Sequence, residues 1–252
     1  MPQPLFGGTL ESHKQNESMR AIDEFLAMIS HELRIPVSAI LGWAELLDNR
    51  QVDHTDFATA IKVIRRNALV QVQLIDALND YASLGVNKFA LTIRAVSLAQ
   101  IVNAAVEALA PMAREKQIHV EMRFGHSIAE MDGDATRLLQ VFLNLLSNAI
   151  KFTTSGGNVR VTLKSSGDCH TTSVSDTGEG ITAEFLPFVF DRYRQADRAA
   201  GRQGGLGLGL TIARHIVELH GGTIKAESAG KGKGSVFIIQ LPRRASSQTI
   251  KS

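Results

Sequence analysis

The sequence predicts an α+β protein in which an antiparallel helical hairpin forms a dimeric four-helix bundle and is followed by an α/β sandwich. Apolar residues recur at alternating intervals of four and three through residues 22–47 and again through residues 57–82. This is the heptad pattern of paired helices. From about residue 93 the pattern changes to helical and alternating segments separated by glycines, which is typical of mixed helix and sheet.

The composition is that of a globular protein. The chain has 252 residues, 44% of them hydrophobic and 21% charged, so overall disorder is excluded. A net charge of +2 without long basic runs gives no reason to expect a nucleic acid as partner. Cys169 is the only cysteine, which excludes an intramolecular disulfide and favours a reducing compartment, so we expect a cytoplasmic location. No stretch is long and apolar enough to span a bilayer, and we expect no membrane contact from this chain.

Four segments are expected along the chain. They are a tail or linker remnant (1–18), the helical hairpin (19–92), the sandwich domain (93–243) and a second tail (244–252). A hairpin of two helices cannot bury its own heptad seam well, so we expect a second copy to pair with it; the alternative is that the seam packs on the rest of the chain. The two seams are Ile22, Leu26, Ile29, Leu33, Pro36, Ile40, Trp43 and Leu47, then Phe57, Ile61, Ile64, Ala68, Gln71, Ile75, Leu78 and Ala82.

Local signals place the elements of the sandwich domain. Ser97 and Asp134 are expected to cap the starts of two helices, and Gly221 with Gly222 should end a third. The expected helices are 97–114, 134–153 and 208–220, and the expected strands are 118–124, 158–164, 171–175, 223–227 and 235–241.

The first candidate site is His31 in the run Ser30-His31-Glu32-Leu33-Arg34-Ile35-Pro36. His31 lies two residues past the seam residue Ile29, so its side chain should point away from the seam into solvent. Glu32 could accept one imidazole proton and leave the other ring nitrogen nucleophilic. Pro36 should bend the helix nearby. The alternative is an ordinary solvated histidine.

Three further motifs are suited to a nucleotide. Asn144, Asn148 and Lys151 share one face of a helix, where an amide oxygen could ligate Mg²⁺ and the lysine could meet phosphate. The segment 176–180 follows a strand, so Asp176 could accept a hydrogen bond from an amino group such as that of adenine. The glycines of 204–210 lead into a helix whose free N–H groups suit phosphate. Taken singly, these are also compatible with a polar helix face, an ordinary Asp/Gly turn and a flexible linker.

In this order and spacing the motifs resemble those of the sensor histidine kinases of two-component systems. The resemblance covers residues 19–243. His31 with Glu32 and Pro36 matches the phosphoacceptor box, and residues 144–152 match the asparagine box. The first glycine box, the phenylalanine box and the second glycine box match residues 176–180, 188–193 and 204–210.

The resemblance implies that the sandwich is an ATP-binding domain of the fold shared by gyrase, Hsp90, histidine kinases and mismatch-repair ATPases. It implies ATP-dependent autophosphorylation of His31 with Glu32 as base, and transfer to an aspartate in the receiver domain of a separate response regulator. It also implies a homodimer, with ATP and Mg²⁺ as cofactors and Asn148 as the Mg²⁺ ligand. Asp176 would bind adenine, and the other nucleotide-binding residues would be Asn144, Asn148, Lys151, Gly178, Gly180, Gly205, Gly207 and Gly209.

Two other classes of protein remain as alternatives. The ATPases of this fold carry a glutamate four residues before the metal-binding asparagine, where this chain has Asn144. An amide is not a general base, so ATP hydrolysis should be poor. The other alternative is a degenerate kinase that acts as a dimeric signalling scaffold; the retained Asn148, Asp176 and glycines favour a working kinase.

The chain departs from the family pattern at two positions. The residue four past the phosphoacceptor is commonly Thr or Asn and orients water for dephosphorylating the regulator, but Ile35 has no hydrogen-bonding side chain. We therefore expect weak or absent regulator phosphatase activity, and the Ile35→Thr variant should speed the decay of a phosphorylated regulator. Equal decay with both proteins would contradict this. Leu206 stands where Thr or Ser is frequent, and we expect altered lid contacts with retained nucleotide binding.

Overall fold

The computed structural model describes most of the chain as two units. The described residues are 27, 29–31, 33–48, 54–84, 91–125, 128–191 and 208–244. The units are Met1–Asn79 and Asp80–Ser252. None of the helices within the described ranges has the length and apolar character that a bilayer crossing requires.

The first unit is helical, as predicted. Helix α1 comprises residues 33–48, and the described residues 27 and 29–31 before it are helical as well. Pro36 is buried and does not end the helix. The first predicted seam is confirmed where it is described, because Ile29 and Pro36 are buried and Leu33, Ile40, Trp43 and Leu47 are half-buried; Ile22 and Leu26 lie outside the described residues.

Helix α2, His54–Leu84, carries two apolar stripes where the sequence pattern suggested one. The buried stripe includes Ala60 and Leu74, which are 0% and 9% exposed. Phe57, Ile61 and Ile75 belong to the predicted seam but are exposed. Ile64, Gln71 and Leu78 of the same seam are half-buried. Two neighbouring stripes on one helix can both have heptad spacing, so a single chain buries one stripe and leaves part of the other exposed. Ala60 lies in the buried stripe, but its side chain is so small that it is easily overlooked in a pattern of large apolar residues.

The second unit alternates helices and strands. They are β1 (Arg94–Val96), α3 (Leu98–Glu115), β2 (His119–Phe124), β3 (Met131–Gly133), α4 (Ala135–Phe152), β4 (Asn158–Ser166), β5 (Cys169–Asp176), a short 3₁₀ helix (Leu186–Phe188), α5 (Gly209–Leu219), β6 (Thr223–Glu227) and β7 (Val236–Pro242). The main sheet has the order β2-β4-β5-β7-β6, and β1 pairs with β3 in a separate two-stranded sheet. The β2–β4 pair is parallel, whereas β4–β5, β5–β7 and β6–β7 are antiparallel.

One face of the main sheet forms the core with the helices. Alternate residues of β4 are buried, as in Val159, Val161 and Leu163, while Arg160 and Lys164 between and after them are exposed. Helix α4 contacts both α3 and α5, and α3, α4 and α5 contact β2, β5 and β6 respectively. The period of two along β4 places its apolar residues on one face. The predicted two-layer sandwich is therefore confirmed.

The caps predicted from the sequence are confirmed. The Ser97 side chain accepts a hydrogen bond from the backbone N–H of Gln100. Asp134 accepts from the N–H groups of Thr136 and Arg137 at 3.0 and 3.1 Å, so two of the free donors at the start of α4 are satisfied. Strands β1 and β3 were not predicted, because three residues are too few to show a period.

The turn after α3 predicts a stabilising substitution. Gln117 has φ +56°, a conformation in which a side chain is strained and glycine is not. We expect Gln117→Gly to raise the free energy of unfolding by about 0.5–1 kcal/mol, measured as a higher urea midpoint. As a control, Gln140→Gly within α4 should lower it by about 1 kcal/mol. A lower midpoint for Gln117→Gly would contradict this account of the turn.

Because two histidines are buried, we expect the free energy of unfolding to fall in mild acid. Burial lowers the pKa of His220 below 6.5, although the Ile216 carbonyl and the Asp134 carboxylate act in the opposite direction. Burial, assisted by the charge of Arg243, also lowers the pKa of His170. His220 Nε2 accepts from the Asp134 backbone N–H at 3.0 Å, so its Nδ1 must donate to the Ile216 carbonyl at 2.8 Å. The folded state therefore needs the neutral ring.

The sign of the pH effect follows from these lowered pKa values. Below about pH 6.5 the histidines of the unfolded chain bind protons, whereas those of the folded chain remain neutral. The free energy of unfolding should thus be highest above pH 6.5 and fall as the pH drops towards the folded-state pKa values, by up to about 1.4 kcal/mol per pH unit for each histidine. Urea titrations across this range measure the slope, and His220→Gln should reduce it. A flat profile between pH 7.5 and about 5.5 would contradict the prediction.

Candidate functional site

His31 is exposed on the helical segment that precedes α1. Ile29, two residues earlier, is 6% exposed, so the histidine and the seam lie on different sides of the helix, as predicted. Glu32, the predicted base, lies outside the described residues. The first unit therefore presents an accessible imidazole that could act as a nucleophile.

Helix α4 carries the three predicted polar residues Asn144, Asn148 and Lys151. Asn144 and Asn148 are half-buried, and Lys151 is exposed at the end of the helix. The Asn144 amide nitrogen donates to the carbonyl oxygen of Gly209 at 3.0 Å, which ties α4 to the first residue of α5. The Lys151 ammonium lies 5.3 Å from the centre of the Phe152 ring. The opposite side of α4 is apolar and buried, so these polar side chains share the remaining surface.

The Asp176 carboxylate is held in place at the end of β5. One oxygen accepts from the backbone N–H groups of Gly178 at 2.8 Å and Ser235 at 3.3 Å. The other oxygen accepts from the Ser235 hydroxyl. The Asp176 backbone N–H also donates to the Ser235 carbonyl at 2.9 Å. A carboxylate with this many donors is fixed in orientation, and of its about four acceptor sites one is left for a ligand amino group.

Close backbone approaches explain why glycines surround Asp176. A Cβ on Gly178 would lie 2.4 Å from the Phe152 carbonyl oxygen, and one on Gly234 would lie 2.0 Å from the Asp176 carbonyl oxygen. Gly180 has φ +69° and packs on the Gly230 carbonyl. The predicted glycine loop and the β6–β7 turn are therefore packed backbone to backbone, which only residues without a Cβ permit.

The segment between Asp191 and Leu208 lies outside the described residues, and with it Gly205, Gly207 and Leu206. Its flanks are described. The Thr211 hydroxyl donates to the Phe190 carbonyl at 3.0 Å, and the rings of Phe190 and Phe237 meet edge to face at 6.1 Å. Gly209, the last predicted glycine, is the first residue of α5. The hydrogen bond from Thr211 therefore joins the start of α5, on one side of this segment, to Phe190 on the other side.

The donor set around α4 fits Mg²⁺ delivered with nucleotide phosphates. No group of three or more His, Cys, Asp or Glu side chains that could hold a metal occurs among the residues the structure describes. Mg²⁺ is commonly bound through one or two protein oxygens together with substrate phosphates and waters. The amide oxygen of Asn148, on the same face as Lys151, is such an oxygen.

Ser235 was missed by the sequence reasoning. Its backbone and its hydroxyl both bind Asp176, which lies 59 residues earlier. Ser228 was missed too; its hydroxyl donates to the Gly234 carbonyl at 2.6 Å and accepts from the Ile181 N–H at 2.9 Å. A signal was available, because both serines flank the glycine-rich turn between β6 and β7.

Two known protein families match the chain, one for each part. Residues 21–86 match the His Kinase A (phospho-acceptor) domain. Residues 133–245 match the histidine kinase-, DNA gyrase B- and HSP90-like ATPase domain. His31 falls in the first match, and the α4 face, Asp176 and Ser235 fall in the second.

Individual proteins agree with this assignment. Hybrid signal transduction histidine kinase D of Dictyostelium discoideum is 34% identical over 92% of this chain and 18% of its own length. Circadian input-output histidine kinase CikA of Synechococcus elongatus is 34% identical over 88% of this chain and 30% of its own length. The crystal structure of full-length ShkA in complex with AMPPNP superimposes with a TM-score of 0.65 and 27% identity, covering 90% of this chain and 47% of that one.

The chain spans less than half the length of each of these relatives. They match 92%, 88% and 90% of this chain, which is more than either unit contains. The two family matches, in this order, together with these relatives, show that the chain belongs to the sensor histidine kinases of two-component systems.

Proposed function

We propose that the chain transfers the γ-phosphoryl group of ATP to His31 and then to an aspartate of a separate response regulator. The observation that carries the choice of acceptor is the amide at position 144, which donates to the Gly209 carbonyl. An amide cannot take a proton from water, so this surface of α4 lacks the base that hydrolysis would need at that position. The accessible imidazole of His31 is an acceptor that needs no such base on α4.

Each residue has a distinct part in the proposed reaction. Asp176 accepts a hydrogen bond from the adenine amino group, and Lys151 balances the negative charge of the phosphates. Asn148 would hold Mg²⁺, and bound Mg²⁺ would neutralise further phosphate charge. One ring nitrogen of His31 attacks the γ-phosphorus. The bond between this phosphorus and the β–γ bridging oxygen breaks, and ADP leaves with the bonding electrons. Glu32 accepts a hydrogen bond from the other ring nitrogen and stabilises its positive charge.

The second step regenerates the histidine. A carboxylate oxygen of the regulator attacks the phosphorus of phosphohistidine, and the phosphorus–nitrogen bond breaks. Phosphohistidine is a reactive donor because the other ring nitrogen keeps its proton, so that the bonding electrons stay with a neutral imidazole when the bond breaks. The exposure of His31 makes it accessible to a receiver domain as well as to ATP.

A homodimer is part of the same proposal. Phe57, Ile61 and Ile75 of α2 are 55%, 46% and 46% exposed, and contiguous apolar surface on a helix favours a partner. A second copy that covers this stripe would complete a four-helix bundle. Light scattering should give the mass of two chains, and the mass of a single chain at micromolar concentration would contradict the bundle.

The chemistry of the phosphorylated product tests the proposed reaction. Incubation with γ-labelled ATP and Mg²⁺ should label the protein, and the label should be lost in acid and kept in base. Steady release of phosphate without labelled protein would instead establish an ATPase. Bound ATP with neither label nor turnover would establish the scaffold.

A further inference from the structure

The C-terminal turn of α4 is held by a lysine from outside the helix. The Lys116 ammonium donates to the carbonyl oxygens of Ile150 at 2.9 Å, Lys151 at 2.7 Å and Thr153 at 2.8 Å. The last carbonyls of a helix have no partner within it, and the positive charge also suits the negative end of the helix dipole. An ammonium has three N–H donors, so Lys116 directs its whole hydrogen-bonding capacity at this turn.

Lys116 leaves one carbonyl of this turn, that of Phe152, and the loop that follows Asp176 binds it. The Phe152 carbonyl accepts from the backbone N–H of Glu179 at 3.0 Å, and it lies so close to Gly178 that a Cβ there would approach it to 2.4 Å. The loop that bears Asp176 and the helix that bears Asn148 therefore meet at Phe152. Lys116 secures the carbonyls on both sides of this contact.

Lys116 is itself fixed by the turn that follows α3. The N–H of Ile118 bonds to the Ala113 carbonyl at 2.8 Å and the N–H of Gln117 to the Arg114 carbonyl at 3.0 Å, the pattern of a Schellman cap. Ile118 is buried. The Lys116 carbonyl also accepts from Gly156 at 3.3 Å. The ammonium thus extends from a rigid base and does not act as a mobile surface charge.

We propose that Lys116 is a positioning residue for nucleotide binding. Its ammonium fixes the end of α4, so that Asn148 and Lys151 on this helix and Asp176 on the adjoining loop keep the relative placement that one ATP molecule requires. It is not a phosphate ligand, because its three donors are already engaged by carbonyls. The inference rests on the proposed function, since it concerns the same ATP site.

The full chain with Lys116→Met tests this role, because methionine keeps much of the side-chain length and has no donors. We expect the Kd for ATP to rise about tenfold, the labelling rate at saturating ATP to fall, and the amide of Glu179 to exchange its hydrogen faster. Lys116→Arg should be intermediate, since its planar donors cannot converge on three carbonyls. The matched control is Lys164→Met, at an exposed position of β4, with wild-type ATP affinity.

The outcomes separate the inference from the proposed function. Failure of the wild type to bind ATP would overturn the proposed function. The role of Lys116 would be overturned if a folded Lys116→Met variant kept the ATP affinity and the Glu179 hydrogen-exchange rate of the wild type. This holds even if the urea midpoint of the variant were lower, because loss of a purely structural residue would change only that midpoint. If circular dichroism shows that the Lys116→Met variant is unfolded, the Lys116→Arg variant is used in its place. Wild-type ATP affinity together with a wild-type Glu179 exchange rate in that variant would overturn the proposal.

Discussion

Replacing His31 with glutamine should abolish acid-labile phosphorylation and leave ATP affinity unchanged. The amide nitrogen of glutamine has a delocalised lone pair and cannot attack phosphorus, whereas an imidazole nitrogen can. His31 is exposed, so the substitution removes no buried contact and should not unfold the helix. ATP affinity should persist because His31 and Asp176 belong to different units of the chain. Labelling with γ-labelled ATP and equilibrium binding of ATP measure the two effects.

A second exposed histidine provides the control for this experiment. His119 lies at the start of β2 and is exposed, so His119→Gln changes the same chemical group elsewhere. We expect this variant to be labelled at the wild-type rate. Label that survives in His31→Gln, with the same acid lability, would show that another histidine is the acceptor.

Replacing Asp176 with asparagine should weaken ATP binding by about a hundredfold. The carboxylate accepts from two backbone N–H groups and from the Ser235 hydroxyl. An asparagine has one acceptor oxygen in place of two, and if that oxygen stays with the two N–H groups, its NH₂ group cannot accept from an adenine amino group. An unsatisfied polar group of this kind costs about 1–3 kcal/mol, and a hundredfold loss corresponds to about 2.7 kcal/mol.

The test of Asp176 compares affinities for ATP in three variants. Asp168→Asn, at the exposed β4–β5 turn, should bind ATP like the wild type. Ser235→Ala should lose about fivefold, because it removes one of the donors but leaves the carboxylate. Labelling should fall in parallel with affinity at low ATP concentration. If Asp176→Asn binds ATP within twofold of the wild type while remaining folded, the assignment of the adenine site is wrong.

The sequence predicted the fold well where a single residue or a short pattern determines where a helix or strand begins. Asp134 was expected to cap α4 and does so, and the strand 223–227 was predicted with the bounds that it has. On α2 the heptad pattern does not by itself identify which of two adjacent stripes is buried within one chain, because both stripes have the same spacing. Burial there depends on the shape of the neighbouring helix, which no local window contains.

The candidate site was only partly predictable for a related reason. Asp176 and Asn148 are recognisable because each lies in a short motif with its own neighbours. Ser235 and Lys116 act on residues 59 and 34 to 37 positions away, so their roles depend on strand pairing and helix packing. Nothing in the residues next to Lys116 indicates that it would cap a helix later in the chain.

The contact between Asp176 and Ser235 has a consequence for biosynthesis. β4 and β5 can pair as a hairpin as soon as both have left the ribosome, but β5 must wait for β7, because Val174 pairs with Phe237. A nascent chain that ends before Ser235 therefore has the Asp176 carboxylate without the N–H and hydroxyl donors of Ser235. The proposed ATP site should therefore form only after nearly the whole second unit has been synthesised, and we expect a chain that ends before Ser235 to show no phosphorylation of His31.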